Sequence, residues 1–117
     1  RRAHLNFGHT VGHAVERLTG WRHGPSVAVG MVAAAAVSAA TSDFGQSGRI
    51  VDGIRRLGLP TAVEGIEAAE VESLVALDKK GDAQGLRMVL LEAIGAPTVR
   101  YVDSATLAIG LRAIGIT

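Results

Sequence analysis

The apolar positions of the first eighteen residues, RRAHLNFGHTVGHAVERL, recur with the period of an α-helix. On a helical wheel, one stripe carries the chemically active side chains, which are Arg2, Asn6, His9, His13 and Glu16. The opposite stripe is apolar and consists of Phe7, Val11, Ala14, Val15 and Leu18. The pattern predicts an amphipathic helix that packs its apolar side on the domain and ends near Gly20.

Similar patterns predict four further helices. The longest covers 25–41, because Pro25 suits the first position of a helix and Gly24 is a permissive residue before it. His23 is then expected just ahead of this helix, where the positive end of the helix dipole disfavours a charged imidazole. The other three are predicted over 47–57, over 67–77 and after Asp103 or Ser104, one of which caps the last helix.

The segment between the last two helices has a different pattern. Two short β-prone stretches, 86–91 and 98–102, are joined through Gly95 and Pro97 and predict one β-hairpin. The expected fold class is therefore mainly α, a multihelical domain with one short β-hairpin.

The longest apolar run, 27–40, consists mostly of alanine and valine, with Gly30 and Ser38 inside it. It is shorter and less hydrophobic than a typical membrane span, so we expect a buried core helix and no membrane association.

Composition narrows the function classes. The chain has 117 residues, 48% of them hydrophobic, which is enough for one domain with a core of its own. The formal net charge is +1 and the arginines are scattered, so nucleic-acid binding is not indicated. Cysteine is absent, which fits a cytoplasmic location and limits metal ligands to histidine and carboxylate. Arg1 stands where a methionine would begin a complete chain, so we expect a fragment of a longer protein.

The histidine pair His9 and His13 has two interpretations. Two histidines four residues apart are most often a solvated pair, but Arg2 and Asn6 on the same stripe suit an anionic, hydroxylated ligand. The metalloprotease motif H-E-x-x-H is absent, since no glutamate lies between them. A metal-dependent hydrolase that uses His9, His13 and Glu16 as ligands stays open, as does a helical binding module without catalysis.

Two glycines accompany these histidines. Gly8 and Gly12 each cost the helix about 1 kcal/mol relative to alanine. They predict a close approach, either by a ligand or by another backbone.

Five motifs in order give a more specific identification. They are LNFGHTVGH, HG before the alanine-rich helix, GLP, LDKK and LRMVLLEAIG. With them the chain resembles the C-terminal domain of 3-dehydroquinate synthase over nearly its full length. The resemblance implies that residues 1–117 are a helical metal- and substrate-binding domain that follows an N-terminal NAD-binding domain, with zinc and substrate between the two.

The resemblance also implies roles for single residues. His9 and His23 match two ligands of a catalytic Zn²⁺, or of Co²⁺ in its place, and the third ligand belongs to the N-terminal domain. His13 matches a histidine that contacts the phosphate region of the substrate and transfers protons. Arg2, Asn6 and Lys79 match substrate-binding positions, with Lys80 as the alternative to Lys79. Glu16 is either a partner of a metal ligand or a surface carboxylate.

The implied enzyme is an NAD- and zinc-dependent lyase of the shikimate pathway, commonly dimeric. It converts 3-deoxy-D-arabino-heptulosonate 7-phosphate, a phosphorylated sugar acid, to 3-dehydroquinate and phosphate, and the fragment alone is expected to be inactive. One departure concerns Pro25, which stands where the family usually has a glutamate after HG. A related sugar phosphate cyclase, of the aminodehydroquinate or 2-deoxy-scyllo-inosose synthase type, therefore stays an alternative.

Overall fold

The structure is a computed structural model that describes residues 7–42, 44–78, 86–93 and 96–117. This part of the chain contains five helices and a two-stranded antiparallel sheet. In chain order the elements are α1 (His9–Thr19), α2 (His23–Thr41), α3 (Ser47–Arg56), α4 (Ala68–Asp78), β1 (Leu86–Ala93), β2 (Ala96–Val102) and α5 (Ser104–Ala113). The predicted fold class, mainly α with one short hairpin, is confirmed.

Helix α2 forms the centre of the core. It contacts α1, α3, α5 and β1. Its buried positions are Ser26, Ala28, Val29, Gly30, Val32, Ala33, Ala34, Ala35, Val37 and Ser38. Such small side chains let neighbouring helices approach on several sides.

The start of α2 differs from the prediction. The helix begins at His23, two residues before Pro25, because Arg22 is extended (φ −64°, ψ 160°) and precedes the first turn. Pro25 fits inside that turn, where backbone N–H groups have no helical acceptor to lose. His23 is therefore the first residue of the helix and does not precede it.

By length and composition, α2 could cross a membrane. It has 19 residues and an 18-residue window of mean hydropathy 1.5, so the expectation that it is too short and too weakly apolar was wrong on both points. However, 56% of that window is buried inside the protein. This burial, and not its length, is what identifies α2 as a core helix.

Glycines set the crossing of α1 and α2. A Cβ on Gly30 would overlap the carbonyl oxygen of Gly8 and lie 2.7 Å from the backbone nitrogen of Gly12. A Cβ on Gly12 would lie 3.1 Å from the carbonyl oxygen of Ser26. The two backbones therefore touch with no side chain between them. The predicted close approach at Gly8 and Gly12 is to another backbone, which settles that open alternative.

A buried serine attaches the hairpin to α2. The hydroxyl of Ser38 donates to the carbonyl oxygen of Ala34 at 2.8 Å and accepts from the backbone N–H of Leu91 at 2.8 Å. Leu91 pairs with Pro97 across the hairpin, next to a register shift between Leu91 and Ala93. Both strands extend beyond their predicted limits, and Pro97 is accommodated because β2 is an edge strand.

The last helix closes the domain. Asp103, and not Ser104, is the N-cap residue, and its side chain accepts from the backbone N–H of Thr106 at 2.8 Å. Hydrogen bonds from Thr106, first from its side chain and then from its backbone, hold the pKa of Asp103 below its usual value of 3.8. The apolar side of this helix is buried and consists of Leu107, Leu111 and Ile114.

The apolar residues over the predicted helix range 47–57 are only partly buried. Ile54 lies in the core and Ile50 packs against it, whereas Leu57 follows the end of the helix and is 75% exposed. Since the helix ends at Arg56, Leu57 is no longer carried on its buried side.

Candidate functional site

Three histidines come together between the first two turns of α1 and the start of α2. His9 is the first residue of α1, His13 lies one turn further along it, and His23 is the first residue of α2. The His9 ring centroid lies 5.2 Å from that of His13 and 5.4 Å from that of His23. The centroids of His13 and His23 are 6.2 Å apart. We call these three residues the histidine cluster.

A tight connection brings His23 back to α1. Gly20 follows the helix in the left-handed conformation (φ 75°), and its N–H donates to the carbonyl oxygen of Glu16 at 2.9 Å. The hydroxyl of Thr19 accepts from the backbone N–H of Trp21 at 3.0 Å. Only residues 20–22 separate the helices, so the start of α2 lies beside the last turns of α1.

The four ionisable side chains of the site differ in environment. His9 is half-buried, and its Nδ1 atom is inaccessible to water and has no hydrogen-bond partner among the described residues. His13 is exposed. The Nδ1 atom of His23 lies 3.1 Å from Oε1 of Glu16, with 59% of the His23 side chain and 37% of the Glu16 side chain exposed. Such exposed pairs contribute about 0–1 kcal/mol to stability, so this contact matters more for orientation.

The cluster alone does not form a complete metal site. Among the described residues, no three histidine, aspartate or glutamate side chains are placed to hold a metal ion. This geometry disfavours the hydrolase hypothesis, because Glu16 contacts His23 and does not complete a ligand set with His9 and His13. Two imidazoles with a further ligand from outside this segment remain compatible with a divalent metal.

The orphaned Nδ1 atom of His9 supports that fit. A buried ring nitrogen without a partner costs free energy, and coordination or a further hydrogen bond would satisfy it. Zinc and cobalt accept neutral imidazole nitrogen readily. His9 and His23, with adjacent rings, therefore suit such a metal, provided that other ligands are supplied.

Four other predicted site residues, Arg2, Asn6, Lys79 and Lys80, lie outside the described residues. The sequence left Glu16 as either a partner of a metal ligand or a surface carboxylate, and it did not indicate which ligand Glu16 would contact. Gly20 could have indicated this contact. A glycine that ends a helix, followed by a very short connection, reverses the chain direction and brings His23 beside the end of α1.

One protein family matches most of the chain. The family described as 3-dehydroquinate synthase C-terminal matches residues 1–81. The chain belongs to this family. The match includes the whole histidine cluster and Glu16, and it confirms the resemblance drawn from the sequence motifs.

Curated relatives agree with the family. The 3-dehydroquinate synthase of Synechococcus sp. is 44% identical over 120 residues, which cover 97% of this chain and 33% of that protein. The 3-dehydroquinate synthase of Caldanaerobacter subterraneus subsp. tengcongensis is 43% identical over 99 residues, covering 80% of this chain and 28% of that protein. The chain thus spans about a third of the length of the curated relatives it matches.

A solved structure shares the fold. It is a 2-deoxy-scyllo-inosose synthase complexed with carbaglucose-6-phosphate, NAD⁺ and Co²⁺, with a TM-score of 0.77 and 22% sequence identity. The match covers 92% of this chain and 34% of that one. This family member therefore has the fold of one segment of a larger sugar phosphate cyclase.

Proposed function

We propose that this chain is the metal- and substrate-binding C-terminal domain of a 3-dehydroquinate synthase. In this proposal residues 1–117 follow an N-terminal NAD-binding domain, and the assembled enzyme is a cytoplasmic homodimer. It converts 3-deoxy-D-arabino-heptulosonate 7-phosphate to 3-dehydroquinate and phosphate. The observation that carries the proposal is the histidine cluster, assembled from two adjacent helices in a member of this family.

His9 and His23 would hold the metal, which we propose is Zn²⁺, with Co²⁺ as a substitute. The solved cyclase with the same fold was crystallised with Co²⁺ and NAD⁺, which supports a divalent metal and a nicotinamide cofactor here. When bound, the metal supplies Lewis acidity at a substrate hydroxyl and the nicotinamide accepts and returns a hydride. Because the described residues hold no complete ligand set, we propose that at least one further ligand comes from the N-terminal domain.

His13 is the proposed catalytic residue. Its imidazole is exposed beside His9, so a ring nitrogen can reach a bound substrate and move a proton in its phosphate region. Arg2, Asn6 and Lys79 are proposed to bind the carboxylate, hydroxyl and phosphate groups of the substrate. Arginine and lysine suit the anionic groups, and an amide suits hydroxyls. The role of these residues is to orient the substrate against His13.

A chimaeric enzyme tests this function. In it, this chain replaces the matching third of the Synechococcus synthase, to which it is 44% identical; we call it the chimaeric synthase. We expect it to release phosphate from 3-deoxy-D-arabino-heptulosonate 7-phosphate in the presence of NAD⁺ and Zn²⁺, and His13→Ala to lower the rate. A folded, NAD-binding chimaera without turnover would contradict the proposal and favour a non-catalytic binding module.

A second function is that of a related cyclase, such as a 2-deoxy-scyllo-inosose synthase. Pro25 occupies the first turn of α2 next to His23 and departs from the glutamate usual in the resembled family. The solved cyclase with the same fold is of that type. Turnover of a hexose 6-phosphate by the chimaeric synthase, in preference to the heptulosonate, would establish that alternative.

The 117-residue chain by itself should be inactive. It should bind zinc weakly, because His9 and His23 leave the coordination shell incomplete. Phosphate release by the chain alone at the rate of a complete synthase would contradict this expectation. Tight, stoichiometric zinc binding that is unchanged in His23→Ala would contradict the assignment of His23 as a ligand.

A further inference from the structure

Glu16 and His23 form a side-chain contact that the proposed roles leave unused. Oε1 of Glu16 lies 3.1 Å from Nδ1 of His23, although the two residues are seven positions apart and belong to different helices. We propose that Glu16 is a positioning residue, which keeps the proton of His23 on Nδ1 and leaves Nε2 as the nitrogen able to bind a metal. This inference rests on the proposed function, because that function supplies the metal. The contact between Glu16 and His23 is observed independently of it.

The chemistry of the two groups fixes the direction of this hydrogen bond. An ionised carboxylate only accepts hydrogen bonds, so Nδ1 of His23 must carry the hydrogen that is donated to Glu16. A neutral imidazole has one N–H, and Nε2 is then left with a lone pair. Ligand histidines generally donate their other ring N–H to a carboxylate or carbonyl group, which fixes both the tautomer and the ring orientation.

The local backbone holds the carboxylate in place. Glu16 lies on the same side of α1 as His9 and His13, and its carbonyl oxygen accepts from the N–H of Gly20, which ends the helix. The connection over residues 20–22 is too short to let His23 move far from this turn. The ring that Glu16 contacts is also the ring next to His9, with centroids 5.4 Å apart. The contact therefore acts on the proposed metal-binding pair.

A simple surface ion pair would have a different effect. The second such pair in the described structure, Arg100 with Glu92 at 3.3 Å, is similarly exposed but lies on the hairpin. Removing Glu92 should have no effect on the histidines. Glu92→Met is therefore a matched control for Glu16→Met, since both variants remove one exposed carboxylate and its ion pair.

The tautomer of His23 is the first measurement. Nitrogen NMR of the ¹⁵N-labelled 117-residue chain at alkaline pH distinguishes a neutral imidazole protonated on Nδ1 from one protonated on Nε2. We expect mainly protonated Nδ1 in the parent chain and in Glu92→Met, and a shift toward protonated Nε2 in Glu16→Met. Glu16→Gln should retain much of the parent pattern, because its amide oxygen still accepts. An identical His23 tautomer in Glu16→Met and Glu92→Met would overturn the proposal.

Metal affinity is the second measurement. In the chimaeric synthase, competition with a chelator should show Zn²⁺ affinity falling about 10- to 100-fold in Glu16→Met, the range typical of lost partners of metal ligands. The loss should be larger in His23→Ala and absent in Glu92→Met. A tautomer shift without any change in affinity would overturn the positioning role. Failure of the parent chimaera to bind zinc, with the tautomer response intact, would instead overturn the proposed function and leave Glu16 assigned as the group that sets the His23 tautomer.

Discussion

Gly30 of α2 and Gly8, which precedes α1, lie in direct backbone contact, so that a Cβ on Gly30 would overlap the carbonyl oxygen of Gly8. The same Gly8 oxygen accepts the backbone N–H of Gly12 at 2.9 Å and is part of the first turn of α1. The position of His9 relative to α2 therefore depends on this contact. The glycines beside the histidines serve the site by letting two helices meet closely.

Gly30→Ala should destabilise the domain strongly. The added methyl group has no space, and relief requires the two helices to separate, so we expect a loss of about 3 kcal/mol, the upper end of the range for overpacked cores. Chemical denaturation of the chain measures it. Gly53→Ala in α3 is the control, because a Cβ there meets nothing within 4 Å, and it should raise stability by up to about 1 kcal/mol. Equal effects of the two variants would show that the close contact is absent.

Gly12→Val tests the same crossing from the α1 side. From the sequence, a bulky residue here would be expected to harm activity without unfolding the domain, by blocking a ligand or a partner domain. The structure contradicts this, because a Cβ on Gly12 faces the backbone of Ser26 and Val27 at 3.1 Å. We expect a loss of about 1–3 kcal/mol in stability. If Gly12→Val is as stable as the parent in thermal unfolding, Gly12 does not pack against α2 and instead faces a ligand or a partner domain.

Ser38→Ala should uncouple the hairpin from α2. It would leave the buried N–H of Leu91 without its acceptor, at a cost of about 1–3 kcal/mol. Thr41→Val is the comparison, because the Thr41 hydroxyl bonds only within its own helix, to the carbonyl oxygen of Val37, and its loss should cost less. Hydrogen exchange at Leu91 reports the change directly. Unchanged protection of that amide in Ser38→Ala would refute the link.

Asp103 should make stability depend on pH at acidic values. Its pKa is lowered in the folded chain, so its contribution is present above the unfolded value and is lost as the pH falls through the folded value. Asp103→Asn keeps an N-cap acceptor but does not titrate. We expect the stability difference between parent and variant to shrink below about pH 4. A difference that stays constant across that range would contradict the role of the Asp103 charge.

The sequence predicted the helices correctly where a periodic pattern of apolar residues determines them. The apolar stripe of α1 is buried at Val11, Ala14 and Val15, and each predicted helix exists. The sequence was less reliable for the exact ends of helices. The first helix begins later than its pattern predicts, at His9, because Gly8 before it is left-handed (φ 83°) and Phe7 lies outside the helix. Pro25 suggested the wrong start for α2, because proline is tolerated anywhere in a first turn.

The site was predictable only in part, because some of its geometry depends on contacts between helices. Spacing places His9 and His13 on one side of α1, whereas only the family resemblance, which assigns His9 and His23 to one metal, indicates that His23 lies beside them. That position results from the left-handed Gly20 and from the glycine contact between α1 and α2, which only the packed structure reveals. The contact between Glu16 and His23 follows from both features.

The two histidines of α1 have different proposed roles, since His9 belongs to the metal-binding pair and His13 transfers protons. Zinc content and turnover of His9→Ala and His13→Ala, measured together in the chimaeric synthase, separate these roles. We predict that His9→Ala loses zinc, with affinity reduced by more than about 100-fold, and that His13→Ala retains zinc while its rate falls about 10²- to 10⁴-fold. Loss of zinc from His13→Ala as complete as from His9→Ala would contradict the account, because the two histidines of α1 would then be joint ligands.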